Sequence, residues 1–79
     1  MKTIRLIEDV ARTKFNNNYT YLVTNGVPTE KVVLVFLNGF ALFGNCDNVN
    51  TDWEIVDEFT IGLKSELVEG DQIFALINE

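Results

Sequence analysis

Histidine is absent from this chain, cysteine occurs once, at Cys46, and proline once, at Pro28. Without histidine the common zinc sites cannot be built, and the serine and cysteine hydrolase triads lose their usual base. A lone cysteine forms no intrachain disulfide and fits a reducing compartment. Its neighbours Asn45 and Asp47 do not activate it, because a nearby carboxylate raises a thiol pKa. Basic residues are also scarce, 6 against 12 acidic ones, for a net charge of -6. Binding the phosphate backbone of nucleic acid needs clustered Lys and Arg, so that role is excluded as an expectation. No apolar run approaches the roughly 18 residues of a membrane-spanning helix, and no signal-peptide apolar region opens the chain. We therefore expect a soluble protein made in the cytoplasm, with no membrane partner. Neither a G-x-G-x-x-G nor a P-loop spacing is present, and no cofactor is expected. There is no internal repeat.

What the chain does have is apolar residues. At 79 residues it reads as one domain, 1–79, near the size at which a single hydrophobic core is only marginally sufficient. A hydrophobic content of 47% and a mean hydropathy of +0.09 are generous for so small a surface-rich body, and the excess is read as interface. The basic residues mostly fall in the first third and the second half is acidic. That asymmetry could orient a subunit, although scattered charge that keeps a small protein soluble is the better explanation.

Turn signals recur at short intervals, which predicts an all-β fold, a compact antiparallel β-sandwich with short hairpins. The strongest is Asn38-Gly39, since both residues suit the positive φ angles of a type I′ turn. It joins Lys31–Leu37 to Phe40–Phe43. The first of these strands is apolar on both faces, Val33, Val35 and Leu37 against Val32, Leu34 and Phe36. The last strand, Gln72 to Ile77, is alike, with Ile73, Ala75 and Ile77 opposed to Phe74 and Leu76, and both are expected inside a sheet. Thr3 to Val10 reads as a strand, or as a short helix because Ile4, Ile7, Val10 and Ala11 have helical spacing. We take the strand. Asn16-Asn17-Asn18 is a loop, Tyr19–Thr24 a strand, and Asn25-Gly26-Val27-Pro28 a turn. After a surface loop over Gly44–Asp52, a second hairpin turns at Asp57-Glu58, with Trp53, Ile55, Phe59, Ile61 and Leu63 on one face. Lys64–Gly70 is a connection with room for one helical turn.

Residues that could carry chemistry are weakly placed. Glu54 with Glu58, or Asp57 with Glu69, could serve as acid and base in glycoside cleavage, but turns ordinarily carry such residues. Asn48, Asn50, Asp52 and Glu54 offer alternating oxygen ligands. An EF-hand loop starting at Asn48, however, would want Gly and Glu where Trp53 and Phe59 stand. Asn18-Tyr19-Thr20 matches a glycosylation acceptor without a secretory context to use it. No catalytic or metal-binding residue is therefore assigned, and we expect no enzyme.

One ordered combination goes further: Val35-Phe36-Leu37-Asn38-Gly39, then Asp52-Trp53 leading into Ile55, then Thr60-Ile61-x-Leu63, then Leu67-x-x-Gly70-Asp71-x-Ile73. Over about Tyr19 to Ile77 this resembles the small β-domain of bacteriophage tail-fibre and other virion structural proteins. Trp53 stands where that family usually has tyrosine, and Phe43–Thr51 is longer than its usual connection. The resemblance implies a non-enzymatic virion component. Because the chain opens on Met1, a free-standing capsid decoration or cement protein, or a fibre or adaptor subunit, is expected rather than a fibre module. Its expected partners are copies of itself, a trimer being one form, and other virion proteins such as the capsid or tail. The expected interface is Leu34, Phe36, Phe40, Leu42 and Phe74, on the surplus apolar face; the alternative keeps all five in one internal core. Two other classes stay open. An acidic inhibitor mimicking nucleic acid would cluster Asp47, Asp52, Glu54, Asp57 and Glu58 on one face, and a carbohydrate-binding module would expose Trp53 or Tyr21.

Overall fold

The computed structural model describes residues 1–16, 19–42, 44 and 51–79, and Asn16 only in its main chain. The chain runs β1 (Lys2–Arg5), β2 (Ile7–Glu8), α1 (Val10–Asn16), β3 (Thr20–Val23), a 3-10 turn (Thr29–Lys31), β4 (Val32–Leu37), β5 (Phe40–Leu42), β6 (Trp53–Asp57), β7 (Thr60–Leu63) and β8 (Ile73–Ile77). These strands form two four-stranded antiparallel sheets, β1-β8-β4-β5 and β2-β3-β7-β6. The fold is thus the all-β sandwich that the turn spacing predicts.

The sheets meet over a core of Leu6, Leu22, Val35, Trp53, Ile61, Leu63, Ile73 and Ala75, each no more than 4% exposed. Alternation along the strands supplies these residues, since every second side chain points inward. The final strand reads buried, half-buried, buried, half-buried, buried and sits between β1 and β4, as its two apolar faces require. Leu6 joins the sheets: β1 pairs with β8 in one, β2 with β3 in the other. Between them Leu6 drops into the core and its N–H donates to the Ile73 carbonyl at 3.1 Å.

Turn chemistry holds the edges. Asn38 and Gly39 take φ of 51° and 88°, as a type I′ turn demands. The Asn38 side chain also ties this hairpin to the next turn. Its Nδ2 donates to Asp71 Oδ1 at 2.9 Å and its Oδ1 accepts from the Gln72 N–H at 2.9 Å. Gly70, at φ 95°, supplies the left-handed position of the Val68–Asp71 turn. The Asn-Gly and Gly-Asp pieces of the motif are therefore one hydrogen-bonded corner.

Several expectations need correcting. The segment taken as a strand to Val10 ends at Glu8, and a helix follows that the apolar pattern does not show. Asp9 caps it: its carboxylate accepts the Arg12 N–H at 3.2 Å, which satisfies one of the orphan donors of the first turn. Residues 64–70 hold no helical turn. Phe59 lies in the β6–β7 turn at 41% exposure rather than on the core face. A bulge displaces β4, whose register slips between Val32 and Leu34. Val32 consequently faces Ile77 and the core, not the side of Leu34 and Phe36, and Val33 is left 43% exposed.

Candidate interaction surface

Residues opposite one another in an antiparallel ladder point to the same side of the sheet. In the β1-β8-β4-β5 sheet, Ala75 faces Ile4 and Val35, and Ile73 faces Leu37, all of them in or against the core. The alternate positions therefore point outward. They form two rows: Thr3, Leu76 and Leu34 in one, and Arg5, Phe74, Phe36 and Ala41 in the other. Leu34 is 38% exposed, and Leu76, Phe74 and Phe36 are half-buried. This outer face is apolar except at its β1 edge.

The expected interface divides here. Leu34, Phe36 and Phe74 lie together on the outer face, but Phe40 and Leu42 do not. The two-residue turn sets Leu37 opposite Phe40 and Val35 opposite Leu42, so both belong to the inward side. Leu42 packs on the core, whereas Phe40 projects past the sheet edge at 76% exposure. Leu76, missed by the sequence reading, completes the outward group; its alternation with Ala75 and Ile77 was the available signal.

The other sheet treats its outward face differently. Tyr21, Gly62 and Glu54 lie across it in one row, and the chain covers them itself. Arg12 of α1 lies over the Tyr21 ring, 4.5 Å from its centre, and Thr13 Oγ1 accepts the Tyr21 N–H at 2.9 Å. Tyr19 packs edge-on to Tyr21 with ring centres 5.7 Å apart, and its hydroxyl donates to Glu54 Oε1. A Cβ at Gly62 would come within 2.9 Å of both the Tyr19 ring and Val56, so glycine is what lets that ring approach the strand so closely. The hydrogen bond to Glu54, followed by burial, holds the Tyr19 phenol above its ordinary pKa.

These contacts bear on the two other readings. Trp53 and Tyr21 are 3% and 5% exposed, which removes the flat aromatic platform a sugar-binding module needs. Glu54 is engaged by Tyr19, and Asp57 by Arg12 at 2.9 Å and by the Phe59 N–H at 3.0 Å. Two of the acids an inhibitor would present are therefore held by contacts within the fold. Asp47, Asn48, Asn50, Cys46 and Asn18 lie outside the described residues. Among the described residues no group of three His, Cys, Asp or Glu is placed to hold a metal, and no helix is long and apolar enough to cross a membrane. An open cleft of about 590 Å³ lies between Arg5–Glu8 and the Leu67–Asp71 turn. The Asp71 carboxylate on its wall is already taken by Asn38 and by the Val68 N–H at 2.9 Å.

Asp57 and Asp71 make stability acid-sensitive. Arg12 first, then the Phe59 N–H, hold Asp57 below its ordinary value of 3.8, and the Val68 N–H and Asn38 do the same for Asp71. The unfolded chain then binds these protons more readily than the folded one. Their contribution is complete above about pH 3.8 and is lost as pH falls through the lower folded values. Urea midpoints should fall below about pH 4, and Asp57→Asn should flatten that fall while lowering the midpoint at pH 7.

Comparison with protein-family models, with curated proteins and with solved structures found no match.

Proposed function

We propose that this chain is a non-enzymatic structural component of a bacteriophage particle, a capsid decoration or cement protein or a fibre or adaptor subunit. It docks on another protein through the outward face of the β1-β8-β4-β5 sheet. The observation that carries the docking reading is the contrast between the two outer faces. One is covered by Arg12, Tyr19 and the α1 helix. The other leaves Leu34, Phe36, Phe74 and Leu76 together with no described helix upon them. Burying apolar surface gains about 25 cal/mol per Å², so even a modest contact repeated around a symmetric particle is substantial. The particle reading draws on the resemblance, whose Asn38 and Asp71 prove to be hydrogen-bond partners. On this reading the protein resides in the virion after synthesis in the host cytoplasm. It needs no cofactor, nucleic acid or membrane.

The test is binding to purified particles of the phage that encodes it. Labelled protein should co-sediment with particles and saturate, and Phe74→Glu should reduce retention at least about tenfold. Equal retention of both proteins would reject the face. Absence of the polypeptide from purified virions by mass spectrometry, together with no co-sedimentation, would reject the virion reading.

A further inference from the structure

The chain carries 12 acidic residues and a net charge of -6, yet β1, β8, β4 and β5 contain none of them. Their sequences are KTIR, IFALI, VVLVFL and FAL. The other sheet bears Glu8, Glu54 and Asp57 on its strands. An acidic protein has thus kept one whole sheet free of carboxylates. For two copies of this chain, contact through most other surfaces sets like charges together, which opposes association. Contact through this face sets apolar rows against apolar rows, with Arg5 the single charge in each.

Shape agrees with charge. Sheets of like twist pack face to face about 10 Å apart with their strands within about 30°. The inner face of this sheet is already covered by the chain's second sheet. The outer face repeats the same strands, twist and breadth. Four strands about 4.8 Å apart and about five residues long span roughly 19 by 17 Å. That is less than the roughly 800 Å² per partner of a standard stable interface, so the contact suits reversible rather than permanent pairing.

We propose that the occupant of this face is a second copy of the chain, docked about a two-fold axis to give a four-layer stack of sheets with the two carboxylate-free sheets innermost. This rests on the reading that the outward face is a docking face and names what docks there. A two-fold contact uses the same patch on both copies, as a face of uniform apolar rows permits. Pairing should have a dissociation constant of about 10 µM or weaker, given the interface size. It should tighten as salt screens the repulsion between the acidic bodies.

The experiment uses the full chain in sedimentation equilibrium from low micromolar to millimolar concentration, together with an amide NMR dilution series. A reversible dimer is expected, with concentration-dependent shifts confined to Thr3, Arg5, Leu34, Phe36, Ala41, Phe74 and Leu76. Phe36→Glu should weaken it at least about tenfold, because a carboxylate then enters from each copy. Ala41→Glu, at an exposed position where folding is not in question, should weaken it in the same direction. Phe40→Ser, on the inward side, should leave it unchanged. A protein that stays monomeric at millimolar concentration overturns the second copy as occupant while leaving particle binding through this face intact. A trimer overturns the two-fold stack. Self-association insensitive to Phe36→Glu and Ala41→Glu, with shifts elsewhere, overturns the second copy as occupant of this face, again leaving particle binding through it intact.

Discussion

Trp53→Ala should leave the chain at the edge of unfolding. The indole is 3% exposed, faces Leu63 across the β6–β7 ladder, and has Gly44 bridged to it from the preceding segment. Truncating a buried tryptophan costs about 3–5 kcal/mol. A domain of this size has roughly 4–12 kcal/mol in all. The same contact gives a sharper companion test. A Cβ built on Gly44 would fall within the indole ring, so Gly44→Ala should cost about 1–3 kcal/mol through overpacking. In a solvent-exposed loop the same change would be neutral or slightly stabilising. Urea unfolding followed by far-UV circular dichroism reads both variants without relying on the lost fluorophore. A Gly44→Ala protein as stable as the parent would mean that this glycine does not lie on the ring.

Leucines on the two sides of the sandwich should part company just as clearly. Leu22 is 0% exposed and faces Ile61, so Leu22→Ala opens a cavity and costs about 2–5 kcal/mol. Leu34 is 38% exposed on the outer face. Leu34→Ala removes part of a half-covered side chain and leaves no enclosed void, so it should cost about 1 kcal/mol or less. Denaturant titration of dilute protein isolates the monomer. Equal losses would mean that Leu34 is internal, and the outward face would disappear with that result.

Much of this arrangement was readable from residue order, and the misreadings have identifiable physical causes. Asn38-Gly39 announces its turn because few other pairs accept positive φ twice in succession. The central place of β8 follows from its two apolar faces. The error over Phe40 and Leu42 came from treating the hairpin's arms separately. A two-residue turn sets Leu37 opposite Phe40, and once that is applied the faces follow from counting. The bulge at Val33 has no such signature, since a valine in a row of β-branched residues looks regular until its partner strand is known. The helix was hidden for another reason. Val10 and Phe15 are 51% and 88% exposed, so no apolar stripe marks it. Asp9, a favoured capping residue, stands immediately before its first turn. Nor could composition show that Tyr19 lies on Gly62, a contact made across 43 positions of sequence, from 19 to 62.

The passage of the first strand through Leu6 into both sheets sets a condition on how the molecule is made. Thr3 pairs with Leu76 and Arg5 with Phe74, so β1 finds its partner only in the strand farthest from it in sequence. Until β8 is in place nothing joins β1 to β4 in that sheet. Pairings so distant in sequence belong to the slower folders, on the order of milliseconds to seconds. The outward face is consequently complete only once this most distant pairing has closed.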